Sequence, residues 1–272
     1  MITVVAGGDS FVFGAELKDQ FGNLPSMSTY PALLTKDLNL DYICVAYSGN
    51  SNSGIARMTI NACEQHKDKN LIAFVTWTFS SRYEFHFNYK VRNQSNNWYS
   101  LTPWDAHESL DEIKETIKSN NDILLNHMNH FNKLNSTGIG AFSKEFYKHV
   151  GDNEVYETYS SLKEIVFLQQ YLKLNNIPYM FTCVDANIFN HSELTQTNLD
   201  IKNLRSQIDM DKWFLFDPAP EPFNTQTPRG FYQWAIENKY PVGTTHPLEP
   251  AHADAAKLMK EKFNEMVKKS VQ

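Results

Sequence analysis

Residues 1–14 read MITVVAGGDSFVFG. Ile2 to Ala6 is a run of β-formers that stops at Gly7-Gly8, and Asp9-Ser10 follows at once. A strand that ends in two glycines and then presents a serine has two readings. One is a plain turn in which Ser10 caps what comes next. The other is a nucleophile held exposed at a strand tip, with its backbone N–H turned outward.

Working outward, strands and helices alternate. Ser28-Thr29 offers a cap for a helix from Tyr30 to Leu38, with Pro31 in its first turn. Asp41 to Ala46 reads as the second strand, and Asn52-Ser53 caps a helix from about Gly54 to His66. Leu71 to Thr76 (LIAFVT) is a short continuous apolar run, as expected of a strand buried on both faces. Residues 80–105 are aromatic and polar without a clean period and read as a long loop holding a hairpin. Helical periodicity returns over about 107–135 and 153–175. Ile177 to Val184 is the fourth strand and Asp211 to Phe216 a weaker fifth, and helices over Gly230–Asn238 and Glu249–Lys268 follow.

This alternation predicts an α/β fold: a three-layer α/β/α sandwich around a mainly parallel, flavodoxin-like five-stranded sheet. Residues 1–272 are read as a single domain with an insertion or lid-like excursion at about 80–152. In such sheets the site lies at the carboxyl ends of the strands. Ser10, Gly49-Asn50, Thr76–Arg82 and Asp185 all follow strand ends, which draws four distant segments towards one crevice.

Bulk composition narrows the function classes. The chain has 272 residues, 42% hydrophobic and 21% charged, which is enough to bury a core without disulfides or metals. A net charge of -6 gives no support for nucleic-acid or anionic-membrane partners. The three cysteines, Cys44, Cys63 and Cys183, are odd in number and form no C-x-x-C pair, so they read as buried thiols. Met1 to Ala6 reads as a strand rather than a signal peptide, and no apolar run approaches the roughly 18 residues needed to span a bilayer. A cytoplasmic protein is the expectation.

Two further segments carry candidate chemistry. Residues 46–54 (AYSGNSNSG) leave strand two and enter a helix. Gly49 lets its backbone N–H approach a ligand, and Asn50 offers a side-chain donor; a plain helix-initiating loop has the same composition. Residues 244–252 (TTHPLEPAH) hold His246 before a proline, which biases its backbone to an extended form. A histidine on such a loop can reach across a crevice as a general base. No metal is expected, because the spacing of His246 and His252 is not a usual ligand pattern, and no cofactor is called for. Asp9, after strand one, and Trp77 and Arg82, beyond strand three, are candidate substrate-binding residues. The alternative for Arg82 is a pairing with Glu84 that pins the loop. Asp185 reads first as a helix cap.

Taken in order, GDS near the start, a Gly/Asn loop after strand two and the H-P-x4-H-A pattern from His246 to Ala253 resemble the SGNH (GDSL-like) hydrolases. The resemblance implies a serine esterase or acyl hydrolase, one acting on an acylated carbohydrate among the options. It implies Ser10 as nucleophile, Gly49 and the Ser10 N–H as oxyanion-hole donors, His246 as base and His252 as a packing histidine. Two positions depart from that pattern. Where the family carries G-x-N-D, residues 76–82 read TWTFSSR, so Thr78 or Asn50 is the candidate donor. Where the family has an Asp two or three residues before the histidine, Thr244 and Gly243 stand; a backbone carbonyl, Thr244 or Glu249 is left to orient His246. The second reading is a catalytically inactive binding or structural protein on the same fold, for instance one encoded by a phage. A flavodoxin-like nucleotide binder is third, weakened because no phosphate-binding glycine motif follows a strand.

Overall fold

In the computed structural model, residues 2–89, 97–106, 132, 137–189, 192–217 and 227–270 are described. Four parallel strands form the sheet: β1 (Ile2–Gly7), β2 (Asp41–Cys44), β3 (Asn70–Trp77) and β6 (Tyr179–Cys183), in the order β2-β1-β3-β6. Val5 is level with Ile43 on one side and Ala73 on the other, and Phe74 with Met180. The expected fifth strand is reduced to one parallel bridge, Phe181 to Trp213. The sheet therefore has four full strands among the described residues, and the three-layer α/β/α class stands.

Side-chain alternation along the strands builds the layers. Leu71, Ala73, Val75 and Trp77 point to one face, and Ile72 and Phe74 to the other. The first face is covered by α3 (Asn52–Gln65) through Ile55, Ala56 and Ala62, and by the long helix Glu154–Leu174 through Leu162, Ile165 and Leu168. The second face is covered by α2 (Tyr30–Asp37), a helix at Phe231–Glu237 and the last helix, Glu249–Lys269, through Ala251, Ala255, Met259 and Phe263. Both faces are dry, which is why the strand segments read as unbroken apolar runs.

The excursion after β3 holds an antiparallel hairpin, β4 (Tyr83–His86) with β5 (Trp98–Leu101). Its Tyr83, Tyr99 and Leu101 form a separate small core with Ile139 and Tyr147. The anticipated Arg82–Glu84 pair does not form. Glu84 takes Arg57 of α3 at 2.7 and 2.9 Å, and Arg82 turns to Asp9. The helix anticipated over 107–135 lies almost wholly outside the described residues. Among those described, no helix is long and apolar enough to cross a membrane.

The two opening glycines answer to close packing. A Cβ on Gly7 would lie 2.2 Å from Thr59 Oγ1 of α3, and one on Gly8 would lie 2.5 Å from Val12. A side chain at Gly7 would press on α3, and one at Gly8 on the turn that holds Ser10.

His252 is the packing histidine. It is buried, its ring stacks on Tyr30 at 5.4 Å, and its Nδ1 accepts the Tyr30 N–H at 3.4 Å. Burial, with His246 nearby, pushes its pKa down from 6.5 to about 3. Between those values the unfolded chain binds the extra proton, so stability falls as the pH drops. Denaturant unfolding from pH 6.5 to 4.5 should show this loss, up to about 1.4 kcal/mol per pH unit, and His252→Gln should flatten it. Equal slopes in the two proteins would exclude the assignment.

Candidate active site

Ser10 opens a one-turn helix, α1 (Ser10–Phe13), directly after β1. The Asp9 side chain caps that turn by accepting the Phe11 N–H at 3.1 Å. Gly14, in the left-handed region with φ 79°, ends it. His246 approaches from the loop ahead of the last helix, and its Nε2 lies 2.7 Å from Ser10 Oγ. The Phe11 ring packs against the imidazole with centroids 4.7 Å apart, fixing its plane from one side.

The third partner is Glu16, which the sequence analysis did not single out. Its Oε1 lies 2.9 Å from His246 Nδ1. The same carboxylate accepts the Thr245 hydroxyl at 2.9 Å and the backbone N–H groups of Thr244 and Thr245. Burial tends to raise its pKa, but the His246 hydrogen bond, the attraction of His246 and the Thr245 bonds outweigh it and bring the value down to about 2. Glu16 is thus an anion throughout the neutral range. Its backbone sits at φ 70°, a left-handed conformation uncommon for a residue with a side chain and costing on the order of 1 kcal/mol. The strain coincides with the turn that swings the carboxylate back towards residue 246.

Gly243 stands where the resemblance would put an aspartate. A Cβ there would lie 2.1 Å from Glu16 Oε2. The carboxylate of Glu16 occupies the space that a side chain at 243 would need. The candidates once left to orient His246 serve otherwise. Thr244 gives its N–H to Glu16, and Glu249 accepts the Lys18 N–H at 2.8 Å.

The donor candidates divide. The backbone N–H groups of Ser10 and Gly49 make no hydrogen bond among the described residues, and Gly49 takes the left-handed φ of 78°. Asn50 is occupied: its N–H bonds Tyr47 O at 3.1 Å and its Nδ2 bonds Gly8 O at 3.2 Å. Thr78 is occupied too, its hydroxyl donating to Asp9 Oδ2 at 2.6 Å and its N–H to Asn52 Oδ1 at 2.9 Å. Neither is a free side-chain donor.

Of the substrate-binding candidates, Trp77 is fully buried against Phe181, edge to face at 5.4 Å. It continues the inward row of β3 and presents no surface to a ligand. Asp9 is likewise fully buried and spent on Phe11, Thr78 and Arg82. Arg82 lies beside the site, held by Asp9 at 2.9 Å, with its guanidinium 4.9 Å from the Phe79 ring centroid. Asp185 caps a short 3-10 turn, Ala186–Ile188, as anticipated. It lines a cavity of about 450 Å³ with Phe79, Ser80, Ser81, Glu154, Glu157 and Asn187.

The arrangement can withdraw the Ser10 proton through Nε2 while Glu16 holds the Nδ1 proton in place. Fold and segment order agree with the SGNH-like architecture that the motifs imply. No family model matches the chain, and no curated protein matches it. Solved structures are similar to it at low identity. One is a psychrotrophic esterase from Pseudoalteromonas sp., with 10% identity, a TM-score of 0.44, and 99% of this chain and 98% of that one covered. Another is a carbohydrate esterase family 2 enzyme with a carbohydrate-binding domain from Corynascus thermopiles, with 10% identity, a TM-score of 0.44, and 98% and 66% covered. A third is an acetyl xylan esterase from the rumen bacterium Butyrivibrio proteoclasticus, with 12% identity, a TM-score of 0.42, and 98% and 64% covered. The chain thus spans just under two thirds of the length of the latter two.

The place of Glu16 makes a swap testable. Glu16→Ala should lower kcat on an activated ester by about 10²–10⁴. Adding Gly243→Asp should return at least about tenfold of that loss, because the new carboxylate enters the vacated space. A double variant no better than Glu16→Ala would show that position 243 cannot supply the acid.

Proposed function

We propose that this protein is a serine esterase or acyl hydrolase with Ser10 as nucleophile, His246 as general base and Glu16 as the orienting acid. The single observation that carries the reading is the unbroken line Glu16 Oε1–His246 Nδ1 at 2.9 Å and His246 Nε2–Ser10 Oγ at 2.7 Å. In the proposed reaction Ser10 Oγ attacks the acyl carbon as its proton passes to Nε2. The N–H groups of Ser10 and Gly49 hold the oxyanion. The C–O bond to the alcohol breaks, Nε2 returns the proton to that alcohol, and water, activated by the same imidazole, releases the acid and frees Ser10.

The substrate class extended to is an acylated carbohydrate. The cavity walled by Phe79 supports it by placing an aromatic ring among hydroxyl, carboxylate and amide groups suited to sugar hydroxyls. Phe79 packs on Phe11, which packs on His246, so two aromatic rings link the cavity wall to the base. The rival reading, an inactive binding protein, anticipates Ser10 and His246 out of hydrogen-bond reach; a 2.7 Å contact weighs against it.

A fluorophosphonate probe tests the proposal. Mass spectrometry should place one adduct on Ser10, and His246→Ala should abolish it. Well-folded wild-type protein that takes no adduct would return the choice to the binding reading.

A further inference from the structure

Beside the nucleophile lies an ion pair that the proposed mechanism does not use. Asp9 precedes Ser10, is fully buried, and receives Arg82 Nη1 at 2.9 Å on Oδ2. The same Nη1 reaches the Asn50 carbonyl at 3.3 Å and Thr78 Oγ1 at 3.0 Å. One guanidinium nitrogen therefore meets the loops that follow β1, β2 and β3. Asn50 Nδ2 closes the circuit by bonding Gly8 O at 3.2 Å, and the Tyr47 N–H reaches the same carbonyl at 3.3 Å. Thr78 is itself fixed by Asn52, whose Nδ2 also bonds Ser161 at 3.0 Å.

We infer that Arg82 is a positioning residue that presets the oxyanion hole, by locking the loop carrying Ser10 to the loop carrying Gly49. The inference rests on the esterase reading above. An oxyanion hole works only if its donors stand in place before charge develops, so that no reorganisation is spent in the transition state. Here the two free donors sit on different loops, and the side chains of Asn50 and Thr78 are engaged elsewhere. The Asn50 carbonyl is one residue from the Gly49 N–H, and the Asp9 carboxylate one residue from the Ser10 N–H. Holding both on one nitrogen fixes the spacing of the donors. Arg82 also offsets the Asp9 charge, which would otherwise oppose a developing oxyanion close by. The guanidinium covers Phe79, whose ring meets Phe11 at 6.3 Å, and Phe11 backs the imidazole. The same side chain thus supports the base from behind.

Arg82→Gln alone would strand a buried carboxylate and could unfold the protein. The test therefore uses Asp9→Asn/Arg82→Gln, which removes both charges, with Arg82→Lys alongside. Thermal unfolding checks that each variant is folded. Steady-state kinetics on a chromogenic acetate ester, fluorophosphonate labelling rates and hydrogen exchange of peptides covering 46–51 are then measured. The double variant should lose about 10²-fold or more in kcat with KM within about threefold. It should label correspondingly more slowly and exchange faster over 46–51, and Arg82→Lys should fall between. A folded double variant with wild-type kcat, or with unchanged exchange over 46–51, overturns the inference and leaves the esterase reading standing. A raised KM at unchanged kcat also overturns it, because Arg82 would then bind substrate instead. A wild-type protein that neither turns over ester nor labels overturns both.

Discussion

The Glu16 carboxylate is the constraint on which the site depends. It gathers two backbone N–H groups, a hydroxyl and an imidazole from one loop, residues 244–246, and it belongs to the turn just after Ser10. Ser10 and His246 are 236 residues apart in sequence. A single anion brings them to hydrogen-bond distance. Because it accepts so many donors it stays ionised far below neutrality, which keeps the imidazole oriented with Nε2 towards Ser10.

Ser10 is flanked by two such contacts, the Glu16–His246 hydrogen bond on one side and the Asp9–Arg82 ion pair on the other. Neither is an economical way to stabilise a fold, since the desolvation of buried charge offsets most of its attraction. Each instead fixes the geometry of a neighbouring group. The first sets an imidazole, the second a pair of loops. The dry sandwich beneath bears the energetic load through two apolar faces, so the strand ends are free to hold polar and strained elements.

Much of this was legible in the sequence, for physical reasons. Strands buried on both faces leave unbroken apolar runs, so β1, β3 and β6 and the three-layer class could be read directly. Residues 211–216 open with Asp211-Lys212 and leave a run of only four apolar residues, Trp213 to Phe216, and there only Trp213 bridges to the sheet. The candidates Ser10, Gly49 and His246 stand out because each lies at a strand end or loop whose local chemistry is unusual, and the structure brings Ser10 and His246 into contact. Trp77 was misread because its place in the inward row of β3 depends on register, which an apolar run does not fix. Glu16 carries only one sequence signal: it is the first acidic residue after Ser10, in a site in need of a carboxylate. Nothing local places it against residue 246; that follows only from a left-handed turn and from the missing side chain at Gly243.

The most direct measurement is the tautomer of His246, read by ¹⁵N NMR of the imidazole at a pH where the ring is neutral. The account predicts that the proton sits on Nδ1, facing Glu16, with Nε2 bare to accept from Ser10, and that Glu16→Gln disturbs this preference. A ring protonated on Nε2 in the wild-type protein would contradict it, because His246 could then take no proton from Ser10.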